Sequence, residues 1–527
     1  MFPPNPVRPL RPPSILRRGL LAGVLLLPGC FLVRKVRVDE VRAPIQDSLL
    51  VRTAVKAHLL DGSTVLYPNG VAIHQGRLAG AGQRYGLRLQ FSEVVQSVPL
   101  DSLVGMESYR KETDAVGTVG LNLVATTVGA LAVTAAAAAI FGSCPTFYAD
   151  STGVPVLEAE GFSYSIAPLF EARDVDRLGV RAGPGGAVRL EVRNEALETH
   201  YINQLELLEA IHRPEEVVAP DPGGSPVALS GLRPAVLARD RSGRDATAWL
   251  EAADGAVFAS DTARLAAATV QDHEDYLDLV FPSAPAGGDS VGLVLRLRNS
   301  LLNTVLLYDV MLGARGGRAL DWQAGDLSRV APALELGTWY AGRMGLRVLV
   351  PSGAGFREVG RVRDTGPIAW KDVALSLPRV PGDSIRVRLA FPVDNWRIDR
   401  VALAAAIRRP AVRTLPLTRV ETADWSSRPD ALNALRLADR SYLETRPGQR
   451  FTAVWETGPE PAGQARTFLL ASRGYYTEWI RRAWLATGRD TTTFSPTDTS
   501  LVRAMHRWRE VQDSMEARFY ASRIPVR

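Results

Sequence analysis

The chain has 527 residues, 46% of them hydrophobic, with 62 Lys+Arg against 56 Asp+Glu for a formal charge of +6. That length supports two to four hydrophobic cores. A near-neutral balance excludes the basic footprint of a nucleic-acid binder, and two cysteines, Cys30 and Cys144, exclude a disulfide-stapled scaffold.

The first thirty residues have the three parts of an export signal. Arg8, Arg11, Arg17 and Arg18 make a positive leader with no acidic residue, and GLLAGVLLL (19–27) is a short apolar core. Leu27-Pro28-Gly29-Cys30 then sets a small residue before a thiol. This resembles a lipobox, with an unusual proline. The resemblance implies a signal peptide over 1–29, cleavage after Gly29 and a covalent lipid on Cys30. The alternative is an uncleaved anchor, but Arg34 and Lys35 end the uncharged run short of the roughly twenty residues a span needs. Phe31 stands where aspartate would retain a lipoprotein at the inner membrane, so the outer membrane is the expected location. Loss of four arginines with the signal would leave 58 basic against 56 acidic residues. The apparent basicity thus comes mainly from the leader, and no nucleic-acid partner is expected. Only four of the basic residues are lysines: Lys35, Lys56, Lys111 and Lys371.

Residues 46–110 alternate apolar and polar positions and are broken at Asp61-Gly62 and Asn69-Gly70, dipeptides that supply the positive φ of tight hairpins. With "HLLDGSTV" and "SVPLDSLVGMESY" the segment resembles small Sm-like barrels. Residues 115–142 form an apolar Ala/Gly-rich helix in this reading. The charge-free stretch is long enough to span a membrane, yet a single span after a lipidated Cys30 would put Arg110 and Lys111 outside, against the positive-inside rule. It is read either as membrane-associated or as buried against other domains.

From 145 to about 407 the pattern reads as β throughout, with Gly/Pro turns, and divides into β-sandwiches over 145–260, 261–330 and 331–407. An internal repeat aligns RLEVRNEALETHYINQLELLEA (189–210) with VLRLRNSLLNTVLLYDVMLGA (294–314), and more loosely with IRVRLAFPVDNWRIDRVALA (385–404). Each copy reads as two strands around a polar interruption, as in jelly-roll-like sandwiches. The 331–407 module is similar to galactose-binding-like sandwiches. Residues 415–475 form a further β unit. Two helices are expected within 477–522, one over 477–488 and one over 499–522 with apolar positions every three or four residues. The fold class is therefore mainly β. The order of an apolar helix, "SCPTFY" and β-sandwiches resembles an uncharacterised group of bacterial envelope lipoproteins with a SCPxxY segment, which implies location and architecture and no activity.

No HExxH, CxxC, P-loop or GxGxxG motif is present, and no strand–turn–helix nucleophile elbow is read. No catalytic residue, metal site or cofactor beyond the lipid is assigned. His273-Glu274-Asp275 reads as a solvated turn, and Asp174 and Asp176 as salt-bridge or capping residues rather than calcium ligands. Sugar-binding sandwiches display aromatic faces flanked by Arg and Asp, which makes Trp370, Trp396, Arg397 and Asp399 candidate ligand-binding residues. Core packing is the competing role for those tryptophans. The sequence thus favours a non-enzymatic, membrane-tethered lipoprotein that binds a protein or glycan. A structural part of an envelope assembly comes second, and an extracytoplasmic hydrolase or its accessory third.

Overall fold

The computed structural model describes residues 49–86, 91–109, 121–122, 144–151, 153–183, 185–283, 289–379, 382–422, 426–487, 497–521 and 523–526. Cys30, the expected signal peptide and most of the expected apolar helix at 115–142 lie outside them. Within that helix only Leu121–Asn122 is described, and it is a strand paired in parallel with Leu443–Glu444, not helix. Among the described residues no helix is long and apolar enough to cross a membrane.

Residues 49–109 form seven strands of an antiparallel sheet, from Leu49–Val51 to Leu103–Tyr109. The Asp-Gly and Asn-Gly turns work as their chemistry requires: Gly62 and Gly70 have φ of 84° and 83°. A Cβ on Gly70 would also stand 2.2 Å from the Val51 carbonyl oxygen, so only glycine fits. The eighth strand, Ile480–Arg481, comes from the far end of the chain and pairs with Met106 and Gly105. The sheet is thereby closed onto the C-terminal region rather than standing alone.

The remaining β structure is a stack of four antiparallel layers. The first contains Thr146–Ser151, Val154–Glu160, Ala187–Arg193, Arg419–Glu421 and Arg450–Glu456. The second is built on the long strands Glu198–His212 and Ala465–Glu478, with Ala172–Arg177 beside them. Phe147, Leu190, Phe451 and Trp455 of the first meet Ile202, Leu207 and Phe468 of the second. The third layer contains Val217–Pro220, Pro226–Pro234, Ser290–Asn299, Lys371–Pro378 and Trp396–Arg408, and the fourth Leu237–Asp240, Glu274–Pro282, Leu346–Ser352, Gly355–Val362 and Ser384–Pro392. Their shared core includes Leu277, Leu279, Leu293, Leu295, Val387, Leu389 and Trp396. Small residues, among them Val175, Ala210, Val218, Ala228 and Ala471, let the second and third layers approach.

Chain order differs from the expected string of modules. The first sandwich opens with 144–212 and is completed by 411–478, while the second, from 217 to 408, is inserted between the halves. Boundaries at 260 and 330 fall inside the insert. Hydrophobic alternation reports that a strand is half-buried but not which strand it joins, so a pairing across some 270 residues leaves no local signature.

The expectation of β structure throughout 145–407 also fails at 302–343. The first and third copies of the repeat each give two strands in facing layers, Ala187–Arg193 then Glu198–His212 and Ser384–Pro392 then Trp396–Arg408. The second copy begins as strand Ser290–Asn299 and then turns helical, through a π-helical Val305–Leu312, Arg318–Ala324 and Val330–Arg343. An apolar run as short as VLLYDVML cannot be assigned to strand or buried helix by periodicity. Its Leu306, Tyr308 and Met311, with Leu320 and Trp322, pack between Val55, Tyr67 and Met106 of the N-terminal sheet and Met505 and Trp508 of the last helix. That helix, Asp498–Ala521, matches expectation closely. The helix expected over 477–488 is shorter, Arg482–Thr487, because Glu478 ends one strand and Ile480–Arg481 form another.

Candidate functional site

The sequence-selected residues do not converge. Trp396 is fully buried in the core between the third and fourth layers and offers no ring face to a ligand. Strand alternation sends Arg397 and Asp399 to the opposite side of the same sheet. There Arg397 donates to Asp394 at 2.6 Å and to Glu516 of the last helix at 3.4 Å. Asp399 accepts from Gly255 N–H and Arg296 Nε at 3.1 and 3.2 Å. Trp370 is half-buried, with the Arg298 guanidinium 5.1 Å from its ring centroid. These four residues hold the insert together.

The aromatic–arginine–carboxylate combination occurs instead on the outer face of the fourth layer, which no other layer covers. Along Glu274–Pro282, Leu277, Leu279 and Phe281 point inward, leaving Tyr276, Asp278 and Val280 outward. The neighbouring Ser384–Pro392 turns Arg386 and Arg388 out. Asp278 and Arg388 are direct cross-strand partners and form a bidentate pair with both bonds at 2.7 Å. The guanidinium lies 3.8 Å from the Tyr276 ring centroid and 4.1 Å from that of Phe356, on the hairpin of the edge strand Gly355–Val362. Each such contact contributes about 0.5–1 kcal/mol at an exposed site, and the planar guanidinium holds both rings beside it. Phe356 remains 43% exposed. Sequence reading identified YLDLVF and DSIRVRLAFP as strands but not their adjacency, since 110 residues separate Asp278 from Arg388.

Two buried ionic clusters are architectural. Between the second and third layers, Lys371 Nζ sits 2.5 Å from Asp174 Oδ2 and 3.0 Å from Asp176 Oδ1, the salt-bridge role expected for those aspartates. Burial alone would lower the lysine, but the two carboxylates carry it well above the usual range. Burial also pushes Asp176 and nearby Glu160 up to about 7. Glu160 accepts from the Ile368 and Ala369 N–H groups at 2.8 and 3.2 Å, tying the first sandwich to the loop entering Lys371–Pro378.

Where Glu478 meets the N-terminal sheet, Glu198 and Glu478 are buried cross-strand partners, with one carboxyl oxygen of each left without a hydrogen-bond partner. His200 Nε2 is 2.8 Å from Glu198, and Arg481 donates to Glu478 at 2.6 Å. Burial pushes both carboxyls up to about 8. Trp479 follows, stacked on His58 at 3.8 Å and donating to Thr199.

His273 and Asp275 are buried as well, the His273 ring at 3.1 Å from the Val270 carbonyl, so only Glu274 of that triplet is solvated as expected. Among the described residues no three His, Cys, Asp or Glu side chains are grouped to hold a metal ion. A shallow hollow of about 470 Å³ is lined by Thr262, Ala263, Ala266, Ala267 and Arg509 and contains no acid–base pair.

No protein-family description matches the chain, and no curated protein matches it. Among solved structures, an α-xylosidase of glycoside hydrolase family 31 from Xanthomonas citri aligns at 10% identity over 82% of this chain and 38% of its own, with a TM-score of 0.16. A structure of infectious bursal disease virus aligns at 11% identity over 66% of this chain and 89% of its own, with a TM-score of 0.11. Similarity at that level is too low to assign the chain to a family.

Proposed function

We propose that the protein is an envelope lipoprotein, tethered through a lipid on Cys30, that binds a glycan on the outer face of its inserted sandwich. The observation that carries this reading is the Tyr276–Arg388–Phe356 stack on a sheet face that none of the described layers covers. Aromatic rings on an open sheet face suit the apolar faces of sugar rings, while Arg386, unpaired among the described residues, supplies hydrogen bonds to hydroxyls. Alternation gives the platform a rigid base, because every outward side chain is anchored by inward neighbours in a packed core. The lipid reading rests on the arginine leader, the apolar core and Gly29-Cys30. Two or more acyl chains hold a protein stably where one does not.

Glycan-array binding by wild type, Tyr276→Ala and Phe356→Ala tests the site. Binding should fall in both variants with the fold intact, and equal binding in all three would refute the assignment. Palmitate labelling tests the anchor: Cys30→Ser should lose label and membrane association, and full labelling of that variant would refute it.

A further inference from the structure

We infer that the ligand of this face is an acidic polysaccharide, one whose sugars carry carboxylates; the inference rests on the glycan reading above. The argument is charge accounting on the outer face of the fourth layer. Arg388 is committed to Asp278 at 2.7 Å, Arg347 to Glu274 at 2.7 Å and Arg361 to Glu358 at 2.9 Å. Each of these arginines is neutralised by a carboxylate on the same face.

Arg386 is different, as is the exposed Arg239, which stands opposite Asp278 in register and forms no ion pair among the described residues. Arg386 lies two residues along the strand from Arg388, exposed, opposite Val280 in register. Among the described residues no carboxylate pairs with it, and no ring covers it. A planar guanidinium with all its donors unspent is the group that recognises a carboxylate by two parallel hydrogen bonds. The strand rise puts it ~7 Å from Arg388, so a sugar ring lying on Tyr276 would carry an acidic substituent, on that ring or the next, toward Arg386. A neutral chain would leave the guanidinium unused. A polymer with regularly placed carboxylates would gain one charged contact per bound segment while its ring faces occupy the aromatics.

The division of labour is therefore specific. Tyr276 and Phe356 hold the sugar faces, Asp278 fixes Arg388 between them and is not available to repel an anion, and Arg386 selects for acid.

The test uses the full-length, detergent-solubilised protein on polygalacturonate, on neutral dextran and on phosphatidylglycerol vesicles, each at low and high salt. Polygalacturonate should be bound, and more weakly as salt rises, because exposed charges are screened. Arg386→Ala should weaken it about tenfold or more, the worth of a hydrogen bond between charged groups, and leave the near-UV circular dichroism unchanged because the side chain is exposed. Arg386→Lys should recover part of the loss. Equal binding to dextran and polygalacturonate, unaffected by Arg386→Ala but lost in Phe356→Ala, would overturn the acidic preference while leaving the glycan reading standing. Binding to vesicles alone, lost in Arg386→Ala, would overturn both in favour of a lipid surface. Binding to none of the three would also overturn both.

Discussion

The Glu198–Glu478 pair makes the stability of this protein depend on pH in a direction opposite to most carboxylates. Both groups are fully buried and both are pushed from 4.5 up to about 8, whereas in the unfolded chain they ionise near 4.5. Two buried carboxyls side by side do not both ionise, so the folded pair retains at least one proton that the unfolded chain has lost. Between about pH 4.5 and 8 the folded state therefore binds more protons than the unfolded state, and raising the pH destabilises it. The slope is ~1.4 kcal/mol per pH unit for one proton, or ~4–5 kcal/mol across the window. The contribution is fully present below the unfolded value and lost as pH rises through the folded one. Glu160 and Asp176, raised to about 7, act in the same direction, so the wild-type slope exceeds that of one proton. Glu198→Gln isolates the pair: its neutral amide stands in for the protonated carboxyl, its carbonyl still accepts from His200, and Glu478 stays ionised against Arg481. Urea unfolding followed by tryptophan fluorescence, with Trp479 and Trp484 beside the site, should give a slope shallower by about one proton between pH 5 and 8. The variant should be the more stable protein at pH 8. A slope identical to wild type would refute the retained proton.

Trp396→Ala should cost ~3–5 kcal/mol by opening a cavity between the third and fourth layers, read as a lowered denaturation midpoint; wild-type stability with lost glycan binding would restore it as a ligand residue. Lys371→Met should cost ~3–5 kcal/mol because it strands Asp174 and Asp176 beside each other without a cation. The penalty, measured by urea unfolding, should be larger at pH 8 than at pH 5, and a pH-independent change would contradict the ion-pair geometry. Gly70→Ala should lose about 1–3 kcal/mol of stability from strain at positive φ and its contact with the Val51 carbonyl; an unchanged melting temperature would show that the turn adapts.

Features that depend on near neighbours along the chain were legible in the amino acids alone. Gly62 and Gly70 announced the hairpins because few other residues take positive φ without strain. Alternation in DYLDLVF and SIRVRLAFP announced strands with one face inward, and the three- to four-residue apolar spacing from Leu501 to Phe519 announced the last helix. The mainly β class and the salt-bridge role of Asp174 and Asp176 followed from the same local rules. Features that depend on partners far along the chain were settled by packing. Trp396 reads the same whether its strand is at an edge or covered on both sides, and two covering layers made it a core residue. Asp278 and Arg388 became a site because Glu274–Pro282 and Ser384–Pro392 are adjacent. The nesting of one sandwich within another was equally invisible, because loop closure costs entropy that grows only slowly with the length of the insert. A pairing over hundreds of residues is therefore affordable and is fixed by the packing it completes.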